Sequence, residues 1–378
     1  MAAFTWTTGS SGDWSLAGNW TPTGGPPDAD TDTALINAAG SYTVTIASSE
    51  SYTANTVTLD DADAVLSVSG TLTLAGTAPA LTVTAGEFDL YGILDGGTVE
   101  APGGTLVIEN GAELDGVTWQ APLTFAANVS LNVIGGLTVE TASGGTPGVI
   151  DMTAGNDALY VLDSETLNNA TLNFGSGSIL DNDDNAGGTL TLGSGFTINA
   201  SGGEGGDLQN EYGGTIANAG QIDVTDGSLL DVVGGGFTNS GSFTISGGGF
   251  VYIDTTTFTS SDAISIGSGG TLEIVPATSA DVTYDDAATL ILDNPTTYTG
   301  TLSGFTAGDM LQLDGEDISS ASIVGTTLTV NLSGGGTLTY NTGPGLNGLT
   351  FTPSEGSDGY QDLLTALCFA AGTHILTA

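Results

Sequence analysis

The sequence predicts an all-β fold, a right-handed parallel β-solenoid with capping segments, and three observations lead there. Runs of four to six residues alternate apolar and polar side chains, as in Tyr42-Thr43-Val44-Thr45-Ile46 and Thr71-Leu72-Thr73-Leu74, and a period of two marks a half-buried strand. Sixty glycines, with Asn and Asp, break those runs at short spacing, which is the punctuation of turns. Finally, Ile216-Ala217-Asn218-Ala219-Gly220-Gln221-Ile222-Asp223-Val224 is echoed by Phe237-Thr238-Asn239-Ser240-Gly241-Ser242-Phe243-Thr244-Ile245, with the two asparagines 21 positions apart. A period of about 20 residues built from strands and glycine turns is the signature of stacked rungs.

A β-sandwich or propeller also offers many short strands, but it needs longer, turn-bounded hairpin pairs that this chain lacks. The repeat carries its own expectations. Asparagine at one turn position stacks into a side-chain ladder, and the glycine two residues on supplies the positive φ of a corner.

Four segments follow along the chain. Residues 1–40 hold Trp6, Trp14 and Trp20 and the turn-rich Gly24-Gly25-Pro26-Pro27; they read as an aromatic cap over the first open strand edge, which would otherwise template aggregation. Stacking of those tryptophans on sugar rings is the alternative. Residues 41–297 read as the rungs. From residue 298 to 367 the texture changes to Leu328-Thr329-Val330-Asn331-Leu332 and Gly336-Thr337-Leu338-Thr339-Tyr340, expected to close the last rung. Residues 368–378 form a separate short motif.

Charge narrows the function before any motif is read. The chain has 378 residues, 43 of them Asp or Glu, with no lysine, no arginine and a formal net charge of −43. An ordinary chain of this length would carry about 40 basic residues. Nucleic-acid binding is excluded, because phosphate contacts rely on Lys and Arg to displace counterions. Attraction to an anionic membrane surface, Schiff-base chemistry and arginine clamps go with it. With 39% hydrophobic residues the chain has enough to bury and is not disordered. No apolar stretch approaches the ~18 residues of a membrane span. The first residues, Met1-Ala2-Ala3-Phe4-Thr5-Trp6, show no basic region and no apolar core, so either these residues follow a leader or export runs through a C-terminal signal, and the second is the expectation.

Carboxylates without basic partners repel one another unless protons or cations intervene. Oxygen-rich turns suit Ca²⁺. Asp28, Asp30 and Asp32 have the alternate spacing of a calcium loop's first half, although the glycine and the closing glutamate of an EF-hand are missing. Asp181-Asn182-Asp183-Asp184-Asn185 packs three carboxylates and two amides into five residues. Asp309, in a Gly-Asp turn, is either a cation ligand or a turn residue bonding nearby backbone. For the first two clusters a solvated acidic loop is the alternative. The single histidine, His374, leaves no base for serine or cysteine nucleophiles within the rungs. A carboxylate-only hydrolase, with two acids facing a groove, is the enzyme class that composition leaves open.

Several motifs carry resemblances. Trp14-Ser15-Leu16-Ala17-Gly18-Asn19-Trp20-Thr21-Pro22, followed by Asp32-Thr33-Ala34-Leu35-Ile36, resembles the beginning of many secreted bacterial β-helix passengers of the adhesin and autotransporter type. Gly304-Phe305-Thr306-Ala307-Gly308-Asp309-Met310-Leu311-Gln312-Leu313 resembles the module that ends many of them. Cys368-Phe369-Ala370-Ala371-Gly372-Thr373-His374-Ile375-Leu376-Thr377 is similar to the first block of a Hint domain, the Hedgehog/intein autoprocessing family, in its bacterial intein-like form. That resemblance implies Cys368 as the nucleophile of an N-to-S acyl shift at the Leu367–Cys368 bond, with Gly372, Thr373 and Ile375 as scaffold positions; a lone structural cysteine is the alternative. The family's later block, which strains and protonates the scissile amide, has no counterpart in these residues, so this stretch alone is expected not to cleave. Together these readings point to a secreted or cell-surface, non-enzymatic structural or adhesive solenoid. It is calcium-assisted and partnered by itself, a matrix or surface glycans, and it is released or anchored through the Hint step.

Overall fold

The computed structural model describes residues 2–77, 79–355 and 363–367. Strands make up 60% of the protein. No described helix is long and apolar enough to cross a membrane. The chain forms two compact units, Met1–Thr197 and Ile198–Ala378, each a stack of parallel rungs, with about 13 turns of solenoid in all.

In the first unit each rung visits three faces in turn. The first face stacks residues 33–36, 56–59, 81–83, 99–100 and 118–119 in parallel register. The second stacks Tyr42–Ile46 on 64–68, 87–90 and Thr105–Ile108. The third stacks 51–54, 71–74, 93–95, 112–115, 130–133, Ala158–Val161 and 179–182. Alternation explains the core directly. Val44, Leu66 and Phe88 point inward at matching positions, as do Leu72, Leu94 and Leu114, and all are fully buried. A one-residue slip would turn each of these side chains outward, so burial fixes the register.

The second unit repeats the arrangement. Its third face stacks 205–210, 229–234, 250–253, 271–274, 289–292 and Met310–Leu313. Its second face runs through Gln221–Val224, Ser242–Ile245, 264–266, Val282–Asp285 and Thr301–Ser303. On the remaining face, 215–218, 236–239 and 257–260 are paired, and Phe237 stacks on Phe258 with ring centroids 5.7 Å apart and planes 14° from parallel. The parallel order then gives way to an antiparallel meander of Ile318–Val324, Thr327–Leu332 and Thr337–Thr342. Leu363–Leu367 pairs antiparallel with both Met310–Leu313 and Thr350–Ser354.

The asparagine ladder read from the repeat is present. Asn218 and Asn239 are register partners, both buried. The Asn218 amide donates to Asn239 Oδ1 at 2.7 Å, and the Asn239 amide donates to Ser260 Oγ at 2.9 Å. The repeat glycine plays a different part from the one expected. Gly220 and Gly241 do not adopt positive φ; instead a Cβ on Gly241 would lie 2.0 Å from the Gly220 carbonyl oxygen. Close approach of consecutive corners is what demands glycine there.

Near the N-terminus, Trp6, Trp14 and Trp20 are at most 1% exposed. Trp20 meets Trp6 and Trp14 edge-on, at 5.1 Å and 4.7 Å between centroids, and Trp6 stacks on Tyr42. The indole N–H of Trp14 reaches the Pro27 carbonyl and that of Trp20 the Trp14 carbonyl. Fully buried and internally satisfied, these rings offer no face to a sugar, which removes the stacking alternative.

Replacing Asn239 by alanine strands the Asn218 amide and removes the donor to Ser260. Urea unfolding should show a loss of about 1–3 kcal/mol, the cost of a buried polar group left unpaired.

Candidate functional site

Outward positions on the rungs carry most of the described acids, and parallel register about 4.8 Å apart places them beside one another. Many are satisfied by donors from a neighbouring rung. The Thr73 hydroxyl donates to Asp95 at 3.0 Å, Thr82 to Glu100 at 3.2 Å and Ser164 to Asp184 at 3.1 Å. The carboxylate of Glu140 accepts from the amides of Gln120 and Asn169, both at 3.3 Å. Hydroxyls and carboxamides thus take the place that lysine and arginine hold in other proteins.

Two clusters exceed what those donors supply. Glu87 and Asp89 lie two apart on one strand, facing the same way, with Glu109 nearby. Asp89 Oδ1 is buried without a donor. Burial first, then the Glu87 charge and a hydrogen bond with Glu87, push the Asp89 carboxyl up to about 6. Asp163 and Glu165 have the same spacing. The amides of Gly135 and Gly136, both at positive φ, donate to Asp163 Oδ2 at 3.2 Å and Glu165 Oε2 at 3.0 Å. The other oxygen of each acid is buried without a donor. Burial and the adjacent Asp163 carboxylate push Glu165 up to about 7. Like charges this close oppose ionisation, which adds to burial in holding the Glu165 carboxyl up.

A broader acidic face lies in the second unit. Asp207, Asp231, Tyr252 and Glu273 occupy successive register positions. Asp231 is raised by burial and by Asp207, and Glu273 by burial and then Asp293, Asp314 and Asp231. Sequence alone paired none of these. The acid-x-acid spacing of Glu87-Phe88-Asp89 and Asp163-Ser164-Glu165 was a visible signal, but which rungs lie beside each pair depends on register.

The acids singled out from sequence sit as follows. Asp28 and Asp30 are exposed and Asp32 half-buried; Asp32 accepts the Ala2 and Asp28 amides, and Asp28 accepts the Thr53 amide. Asp181 and Asp184 are buried and Asp183 half-buried, at the end of strand Ser178–Asn182. Asp184 Oδ1 takes the Ala186 amide at 2.8 Å, tightening the loop. Asp309 is fully buried; one oxygen accepts the Ala288 amide and the other the amide and hydroxyl of Thr306, which is the turn role. Leu367 ends the last described strand. Cys368 and the remainder of the Hint-like motif lie outside the described residues.

Two clefts bear on hydrolysis. One, of about 500 Å³, is walled by Leu106, Val107, Pro122 and Phe125 among other uncharged residues; the other, of about 440 Å³, has Glu211 as its sole acid. Neither wall presents the pair of carboxylates that glycoside hydrolysis uses. No family model, curated protein or solved structure matches this chain.

The raised acids set a pH dependence. Asp89 and Glu165 hold protons in the folded chain over a range where the unfolded chain, with ordinary values of 3.8 and 4.5, has lost them. Their stabilisation is therefore complete below about pH 4 and is lost as pH rises through 6 to 7. In EDTA, the melting temperature should fall between pH 5 and 8. Glu165→Gln, which keeps the hydrogen bond without the charge, should raise it at pH 8 and flatten the slope.

Proposed function

We propose that this protein is an extracellular, non-enzymatic structural or adhesive solenoid whose acidic faces are bridged by Ca²⁺. The observation that carries the reading is the crowding of carboxyls at Glu87 and Asp89 and at Asp163 and Glu165, where burial first and then the neighbouring acid push Asp89 up to about 6 and Glu165 up to about 7. A group that keeps a proton for want of a counter-charge exchanges it for a divalent cation when one is plentiful, and oxygen donors alone suit Ca²⁺. Extracellular calcium, at millimolar levels, saturates even weak sites of this kind. Candidate ligands are the crowded pairs together with Asp28, Asp30 and Asp32 and the Asp181, Asp183 and Asp184 turn.

Bridging extends naturally to assembly. Two copies of a chain with a net charge of −43 repel until cations sit between their faces. Stacked rungs present long, regular, rigid surfaces for that purpose. In a longer chain carrying the rest of a Hint module, Cys368 Sγ would attack the Leu367 carbonyl carbon. The Cys368 amide nitrogen would leave and a thioester would form, freeing the solenoid or transferring it to a nucleophile. Aromatic and antiparallel ends would serve as caps that limit uncontrolled end-to-end growth.

Light scattering during a titration from EDTA to millimolar Ca²⁺, with Mg²⁺ as control, tests the reading. Growth in particle size that requires Ca²⁺ and is reversed by EDTA is the expected result. A monodisperse monomer throughout would overturn calcium-driven assembly.

A further inference from the structure

On the second face of the first unit the stack of strands is interrupted. Thr105–Ile108 pairs with 87–90 on one side, and Leu123–Thr124, the strand of the next rung, pairs with 150–151 on its far side, but the two do not pair with one another. The same two rungs are in register on both other faces, 98–100 with 118–120 and 112–115 with 131–134. Between the unpaired strands lies the cleft of about 500 Å³ whose walls include Leu106, Val107, Ile108, Pro122, Thr124 and Phe125. The core is left partly open there. Val44, Leu66 and Phe88 are fully buried, whereas Leu106, the next residue of that inward column, is only half-buried.

Backbone groups face this cleft as well as apolar side chains. Along a parallel ladder successive residues send their peptide groups to opposite sides. The Glu109 amide is bonded to the Leu90 carbonyl, so the groups of Thr105 and Val107 face 87–90 and those of Leu106 and Ile108 face the cleft. The Phe125 amide is bonded to the Asp151 carbonyl, which turns the Thr124 groups towards the cleft from the other wall. An open strand edge is a template for another strand, and here two edges meet over apolar side chains. Acids surround them. Glu87 and Asp89 are the register partners of Thr105 and Val107, and Asp151 is that of Thr124. Asp89 Oδ1 is buried without a donor.

We propose that this cleft takes up an extended segment of a basic partner protein as an added strand. The four residues of Thr105–Ile108 set the length of the contact, about 13 Å of extended chain. Main-chain hydrogen bonds to Leu106, Ile108 and Thr124 supply affinity, and alternate apolar side chains of the guest cover Leu106, the division of labour of strand addition. The side chains between them point outward, past Val107 and Thr124 towards Asp89 and Asp151. Lysine or arginine there brings the counter-charge that this chain lacks. A second copy of the chain does not fit, because it has no lysine or arginine to offer and its net charge of −43 repels. A small apolar ligand leaves both strand edges unpaired. This surface is independent of calcium bridging and gives the solenoid a specific contact with another protein.

Fluorescence anisotropy of a labelled, end-blocked octapeptide of alternating valine and lysine, titrated with the full chain in EDTA, tests the assignment apart from any calcium effect. Saturable binding is expected. The same peptide N-methylated at its valines keeps every charge but loses one row of amide donors, and it should bind about tenfold more weakly or worse. A peptide of alternating valine and glutamate should not bind. Thr124→Pro removes the cleft-facing amide of an exposed residue and should weaken binding about tenfold relative to Thr124→Ala, which keeps that amide. Unchanged melting curves verify that both variants fold; should Thr124→Pro unfold, the peptide comparison on the unaltered protein decides. No binding of the lysine peptide, an N-methylated peptide within about threefold of its parent, equal binding of the glutamate peptide, or equal affinities of the two folded variants would each overturn the proposal.

Discussion

Forty-three carboxyl groups without one ammonium or guanidinium partner constrain everything on the outside of this protein. Burial of apolar side chains drives the rungs together, but stacking them brings acids on neighbouring rungs within about 5 Å. The chain answers in three ways. It alternates acceptors with donors, as Thr73 with Asp95 and Gln120 with Glu140. It turns backbone amides onto carboxylates, as at Gly135 and Gly136 and around Asp309. Where neither suffices, it keeps a proton, as at Asp89 and Glu165. Cations are the remaining remedy, and their supply lies in the surroundings rather than in the sequence.

Inside, the same register produces order of another kind. Identical or similar residues stack from rung to rung: Leu72 on Leu94, Phe237 on Phe258, Asn218 on Asn239. Parallel stacking makes each ladder an extended network in which one residue satisfies the next. The cost of breaking a ladder then falls on two rungs at once, which is why glycine is required where corners touch, as between Gly220 and Gly241.

Much of this was legible in the sequence, for local reasons. Alternation in Tyr42–Ile46 specifies strand and buried face together, and the 21-residue echo around Asn218 and Asn239 is enough to place two rungs in register. The reason for the repeat glycine was misread, because close approach between chains leaves no local trace that distinguishes it from positive φ. The crowded acids were harder to see. Rung lengths vary, so the neighbours of Asp89 or Asp231 follow only once register is known. The four-residue insertion 211–214 opposite Gly235 was hidden for the same reason: an insertion is visible only against its neighbouring rung. Asp28, Asp30 and Asp32 drew notice by spacing, yet spacing says nothing of the backbone amides they accept.

The proposed exchange of protons on crowded carboxyls for divalent cations is tested most directly by counting the protons released when Ca²⁺ is added to the folded chain at about pH 6.5 in unbuffered solution, between the values reached by Asp89 and Glu165. Protons should be released on each addition until saturation, with fewer released by Glu165→Gln. Calcium binding without proton release, or no binding at all, would contradict it.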